Sequence, residues 1–257
     1  MIEFENVTRR FGPKVAVADL TLCNPPGEVF AFLGPNGAGK TTSIKMLAGL
    51  LRPSSGTIRV CGHDTVTDTR QATRRIGYVP DEAFLYDKLS GREFLDFVAQ
   101  VRGFDRAETA ARIDRQTEQF ELAGFLDDLT ETYSHGMKQR LVFASALLHD
   151  PPVLVVDEPM VGLDPKSVRL VKDLMRSRAG AGTTVFMSTH TLAVAEEVAD
   201  RIGIIDRGRL GFLGTQEELQ AKLSREQRSL EQLFLELTAE GDGRPAGTRR
   251  SQPDRTP

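Results

Sequence analysis

The sequence has no apolar run long enough to cross a bilayer. Its longest, Leu141 to Leu148, is interrupted by Ser145, whereas a spanning helix needs roughly 20 apolar residues. A basic excess is missing too: Lys and Arg number 33 against 36 Asp and Glu, for a formal net charge of -3. That balance argues against nucleic acid, whose phosphates are neutralised by many cations at once. The opening residues Met1-Ile2-Glu3-Phe4-Glu5 carry no basic segment followed by an apolar one, so secretion is not indicated. Cysteine is scarce. Cys23 and Cys61 stand too far apart for a paired metal or redox motif and are expected as two small buried hydrophobes. These absences together point to the cytoplasm.

What is present is the composition of a globular chain: 257 residues, 40% hydrophobic and 27% charged, enough for one large domain or one domain with an inserted lobe. Short β-branched and aromatic runs alternate with helix-period segments, the pattern of an α/β protein with a largely parallel sheet. Val29 to Leu33 reads as a buried strand that enters a glycine-rich loop. A helix follows from about Lys40, where Ile44, Leu47 and Leu51 recur on one face. Val153 to Val156 and Thr183 to Met187 read as two further buried strands, one ending on acids and the other near His190. Open α/β sheets place their sites at such strand tips.

From about residue 82 to 146 the apolar spacing becomes helical. Ser90 and Glu93 form a capping box ahead of Phe94, Phe97, Val98 and Val101, so this span is expected as an inserted helical subdomain. Residues 239–257, rich in Gly, Pro, Arg and Thr, have little to bury and are expected as a disordered tail behind a domain of residues 1–238.

Two motifs carry chemistry. Gly34-Pro35-Asn36-Gly37-Ala38-Gly39-Lys40-Thr41, followed by Thr42, fits GxxxxGK[ST] between a strand and a helix. Its glycines let backbone N–H groups curl around an anion, the helix N-terminus adds its dipole, Lys40 reaches the β- and γ-phosphates, and the Thr41 hydroxyl can ligate magnesium. Val153-Leu154-Val155-Val156-Asp157-Glu158-Pro159 ends a buried strand on two acids. Beside a phosphate loop, Asp157 can hold Mg2+ and Glu158 can orient or deprotonate the attacking water.

A third segment, Tyr133-Ser134-His135-Gly136-Met137-Lys138-Gln139-Arg140, is similar to the LSGGQ signature of ATP-binding cassette (ABC) proteins. The order of phosphate loop, signature, Asp157-Glu158, Gly162-Leu163-Asp164-Pro165 and Ser188-Thr189-His190 resembles that family from about residue 2 to 237. The resemblance implies an α/β fold of the P-loop NTPase type, with a mixed, mainly parallel sheet plus the helical insertion, and an ATPase using ATP and Mg2+. It further implies that Phe11 stacks on adenine, that Ser134 and Gly136 approach the γ-phosphate bound to the other subunit, and that Asp164 lies in the loop crossing the dimer interface. Asp164 can also cap the helix that starts at Pro165. His190 would contact the γ-phosphate and hold the catalytic geometry around Glu158 and Lys40. The implied partners are a second copy or a homologous subunit and an integral membrane permease, reached through Phe84, Leu85 and Tyr86; nucleic acid is not expected. The chain would be peripheral on the membrane through that permease.

Two segments depart from the family pattern. His135 and Met137 replace a glycine and the glutamine of the signature, and Gly77-Tyr78-Val79-Pro80-Asp81 carries Asp81 where many members have a glutamine. An Asp can face magnesium through water but is shorter and cannot donate a hydrogen bond, so slower turnover is expected. The Tyr-Ser-x-Gly-Met-Lys-Gln-Arg form and the closing segment Ser229–Thr238 resemble the bacterial drug and antibiotic exporter branch, which implies export.

Overall fold

A computed structural model describes residues 1–225; the segment Ser229–Thr238 and the tail from 239 lie outside the described residues. Two sheets stack. In the first, β1 (Ile2–Phe11) and β2 (Lys14–Asn24) form a hairpin in which Phe11 pairs with Lys14 across the Gly12-Pro13 turn. β4 (Ser55–Val60) and β5 (His63–Asp64) extend it on the β1 side, every neighbour antiparallel. The second sheet contains β3 (Val29–Leu33), β6 (Ile76–Val79), β7 (Val153–Asp157), β8 (Thr184–Thr189), β9 (Arg201–Asp206) and β10 (Arg209–Thr215), in the order β10-β9-β3-β8-β7-β6. All its neighbours are parallel except β10 on β9. The expected mixed, mainly parallel sheet is this one; the separate antiparallel sheet was not distinguished in the sequence.

Every residue of β3, β7 and β8 is buried, which is why these strands read as unbroken apolar runs. Alternation along β3 divides the core in two. Val29, Ala31 and Leu33 join the helical side, whereas Phe30 and Phe32 meet Phe4 and Phe186 between the sheets. The Phe30 and Phe32 ring centroids lie 5.1 and 5.5 Å from that of Phe186, within the range of favourable aromatic pairs.

The helices are α1 (Lys40–Leu47), α2 (Thr69–Arg74), α3 (Gly91–Arg102), α4 (Arg106–Gln119), α5 (His135–Leu147), α6 (Pro165–Gly180), α7 (Leu192–Val198) and α8 (Gln216–Arg225). The Ser90 capping box is present: Ser90 Oγ accepts from Glu93 N at 3.2 Å, and Glu93 Oε2 accepts from Ser90 N at 2.8 Å. α3, α4 and α5 fall within residues 82–147 and share one apolar cluster with the sheet.

Two expectations need correction, those for α1 and for the cysteines, and the buried face of α3 is now assigned. α1 stops at Leu47, because Gly49 at φ +73° turns the chain; Leu51 therefore packs from a loop, not from the helix. On α3 the buried face is Phe94, Leu95 and Ala99, while Phe97 and Val101 face solvent. Cys23 is exposed and Cys61 half-buried, because Cys23 lies on the outward phase of β2, between buried Leu22 and Asn24.

Where α5 runs toward β7, burial, reinforced by the Arg102 guanidinium, pushes the His149 imidazole from its ordinary 6.5 down to about 4. The folded chain keeps this ring neutral while the unfolded chain protonates it from 6.5 downward. Stability is thus full above pH 6.5 and falls toward pH 4, by on the order of 3 kcal/mol from this group. His149→Gln is expected to flatten that part of the profile, as measured by urea unfolding at pH 7 and pH 4.5.

Candidate functional site

Parallel pairing sets the chemical residues side by side. Register places Leu33 opposite Thr189, Asp157 opposite Ser188 and Val79 opposite Val156. The loops leaving β3, β7, β8 and β6 consequently emerge at one edge, as open α/β sheets dictate. There a cleft of about 470 Å³ is lined by Phe11, Lys14, Ala16, Asn36, Gly37, Gly39, Lys40, Thr41, Thr42, Asp81 and Glu158. Nine of these were candidates from the sequence; Lys14 and Ala16 were not. A larger cavity of about 620 Å³, lined by Gly27, Arg176 and Glu196 among others, holds none of the motif residues.

The phosphate loop is held open by its backbone. Gly39 sits at φ +112°, and a Cβ there would lie 2.6 Å from the Ala16 carbonyl oxygen, so no other residue fits. Gly39 caps α1 without a side-chain hydrogen bond, and the first turn carries no acid, which leaves the N-terminal N–H groups available to an anion. Lys40 is buried, and its ammonium donates to the carbonyls of Gly34 at 2.7 Å and Pro35 at 3.2 Å. It also faces Glu158 Oε1 at 3.3 Å. Ala38 is buried and closes the loop by donating to the Pro35 carbonyl.

Glu158 is positioned from three sides. It stands in the left-handed region at φ 47°, a conformation costing on the order of 1–3 kcal/mol that survives only when its surroundings determine it. Its N–H donates to Ser188 Oγ at 3.0 Å. Glu158 Oε2 accepts from His190 Nδ1 at 2.9 Å and from His190 N at 3.3 Å. Since a carboxylate only accepts, His190 carries its proton on Nδ1 here.

Ser188 was quoted in the sequence only as part of a string. Fully buried, its hydroxyl donates to Asp157 Oδ1 while accepting from Glu158 N, so it links both acids. Only its place opposite Asp157 on the neighbouring strand reveals this.

Burial raises the pKa of Asp157, Asp81 and Glu158 add to that rise, and the Ser188 hydrogen bond opposes it. Asp157 Oδ2 is buried without a partner among the described residues, and such an orphan calls for an ion or water. The Thr41 hydroxyl, Asp157 and Asp81 are hard oxygen donors that suit Mg2+. This ion takes few protein ligands and completes its shell with water and phosphate oxygens.

Phe11 ends β1 at 46% exposure, with the Arg9 guanidinium 4.4 Å from its ring centroid. Its exposure places it at the cleft rim, not in the core.

Ser134, Gly136 and Asp164 do not line the cleft. They form a second group. Ser134 caps α5 by accepting from Met137 N at 3.3 Å. Asp164 caps α6, accepting from Lys166 N, Ser167 N and the Ser167 hydroxyl, and the Ser167 hydroxyl holds its carboxyl below the usual range. His135 reaches across between these caps. Its Nε2 donates to the Val161 carbonyl at 3.1 Å, and its ring would lie 3.2 Å from a Cβ at Gly162. The side chain that departs from the signature thereby ties the α5 cap to the loop before α6.

Comparison with known proteins adds to this geometry. A family model described as ABC transporter matches residues 17–161. The daunorubicin resistance ATP-binding protein DrrA3 of Streptomyces coeruleorubidus is 40% identical over 221 residues, covering 86% of this chain and 70% of the relative. A solved ATP-binding subunit of an ABC transporter superposes with a TM-score of 0.85 at 31% identity, over 92% of this chain and 99% of that one. The ATP-binding cassette MJ0796, solved as a dimer in a post-hydrolysis state with ADP and Pi, matches with a TM-score of 0.74 at 25% identity, over 84% and 98%. No helix among the described residues is long and apolar enough to cross a membrane. With its phosphate loop, paired acids and these likenesses, the chain belongs to the ABC transporter family as an ATP-binding, ATP-hydrolysing subunit.

Proposed function

We propose that each ATP is held between the Lys40 cleft of one subunit and the Ser134–Gly136 helix end of another, a second copy or a homologous subunit. The observation that carries this reading is the separation of the two anion-binding features: α1 opens onto the cleft, whereas the equally uncapped-by-acid start of α5 lies outside it. Two-fold pairing would bring each into reach of the other's nucleotide and yield two equivalent sites.

Adenine would stack on Phe11, and the phosphates would lie along Asn36 to Thr42. Bound magnesium, held by Thr41 and Asp157 with Asp81 acting through water, would offset phosphate charge. Glu158 would accept the proton of the attacking water while His190 and Ser188 fix its carboxylate and backbone. Lys40 now spends its charge on Glu158 and two carbonyls. A γ-phosphate competing for that ammonium would release Glu158 toward the water, which links substrate arrival to base readiness.

ABC ATP-binding subunits act as dimers with membrane permeases. The name of the daunorubicin resistance relative supports export of amphipathic, drug-like cargo here. Phe84 and Tyr86, exposed and ring-to-ring at 6.1 Å, support docking on that permease just after Asp81; Leu85, also a candidate, is buried in the core. Lys40→Ala is expected to weaken ATP binding by about 10- to 100-fold, the worth of a charge-assisted contact. Isothermal titration measures it; unchanged affinity would remove the cleft as the nucleotide site.

A further inference from the structure

Three carboxylates gather where β6 and β7 end. Register pairs Val79 with Val156, so Asp157 closes β7 while Asp81 stands just past the end of β6 on the neighbouring loop. Asp81 and Glu158 line the cleft beside Lys40 and Thr41, and both press their charge on Asp157. Lys40 answers only Glu158, at 3.3 Å. Lys14, the other cation lining the cleft, stands at its Phe11 end. The salt bridges among the described residues include neither Asp81 nor Asp157. Hydrogen bonding also leaves oxygens over. Asp81 Oδ1 accepts from Glu82 N at 3.0 Å, its one partner among those residues. Asp157 is fully buried; Ser188 takes its Oδ1, and its Oδ2 has no partner there. A buried carboxylate oxygen with neither donor nor cation is costly, and like charges held close raise that cost.

We propose that Asp81 lets this cleft take a divalent cation before any nucleotide arrives, so that Mg2+ and ATP load separately and not only as a complex. The inference rests on the placement of magnesium at Thr41, Asp157 and Asp81 given above, and adds the order of loading and the residue that sets it. A glutamine in place of Asp81 would leave Asp157 as the single carboxylate not offset by Lys40, and the ion would depend on phosphate oxygens for the rest of its counter-charge. With Asp81 there are two, enough to neutralise a divalent ion in full. Mg2+ is commonly held by one or two carboxylates while water fills its other positions. Every donor here is an oxygen, which selects Mg2+ or Mn2+ over softer ions. The same charge acts against ATP that arrives without metal, because its phosphates then meet two carboxylates with no cation between.

Mn2+ is the probe, since electron paramagnetic resonance counts its free and bound forms directly. The full chain, freed of nucleotide, is expected to bind one Mn2+ that excess Mg2+ displaces. Asp81→Gln is expected to weaken that binding by about 10- to 100-fold, the usual worth of a partner acting on a metal through its shell. Glu82→Gln, which removes the next carboxylate along an exposed loop, should bind Mn2+ like the parent. In chelator, where ATP is free of metal, calorimetry should find tighter ATP binding by Asp81→Gln than by the parent. A nucleotide-free parent that takes up no Mn2+ at millimolar concentration, or an Asp81→Gln variant that binds it equally well, overturns the proposal. Adding ATP then separates the two readings. If the Mn2+ signal gains phosphorus couplings although no ion bound beforehand, the metal does sit at the phosphates and only the loading order fails. If an ion binds beforehand but gains no phosphorus coupling, it lies elsewhere, and both the order and the placement of magnesium fail.

Discussion

Glu158→Gln is expected to lower steady-state ATP hydrolysis by on the order of 100- to 10,000-fold, the usual worth of a positioned general base, while an ATP-dependent dimer persists on size-exclusion chromatography. The amide keeps the length and shape of the carboxylate and can still accept from His190 Nδ1, now 2.9 Å away. What it loses is the capacity to take a proton. The backbone at φ 47° and the bond from Glu158 N to Ser188 Oγ do not depend on the side-chain charge, so the fold around the strand tip should be retained. Nucleotide binding should also survive, because Lys40 is relieved of its 3.3 Å partner and freed for phosphate. Hydrolysis at the parent rate would show that another group accepts the proton.

The second large effect concerns the other half of the site. Ser134→Arg places a long side chain at the exposed N-cap of α5, where the proposed partner's phosphates approach. In one chain the cost is a lost cap, about 1 kcal/mol, visible as a modest fall in melting temperature. In a dimer the arginine would hold the halves apart. An equal mixture of variant and intact chains should therefore retain about a quarter of the activity of intact chains at the same total concentration, the fraction of pairs free of arginine in two-fold assembly. Activity near one half would mean that the arginine silences one site of a mixed pair and does not hold the halves apart. His135 bears on the same surface: through Val161 and Gly162 it links the α5 cap to the Asp164 loop, so a disturbance at one cap is passed to the other within the same subunit.

Local chemistry was legible residue by residue. The phosphate loop, the strand ending in Asp157 and Glu158, the Ser90 capping box and the Asp164 cap each depend on groups within a few positions of one another, and such short-range requirements are written directly into the order of residues. Pairs distant along the chain were not legible in the same way. Asp157 and Ser188 are brought together by strand register, which no local pattern encodes. Likewise, apolar periodicity along α3 could not say that Phe97 and Val101 would face solvent while Phe94 and Leu95 were buried, because the second face of a helix is assigned by what packs against it. Cys23 came to the surface by the same rule, through the phase of β2 against its neighbour.

The sequence by itself determined that a glycine loop ending in a lysine would join a buried strand to a helix, and that two acids would stand at the end of another buried strand, since both are properties of contiguous backbone. Tertiary structure alone decided which loops share an edge, that Ser188 joins the two acids, and that the α5 cap lies away from the cleft. The reason is that parallel pairing and core packing set distances between segments far apart in the chain, and those distances, not residue order, decide which charges meet.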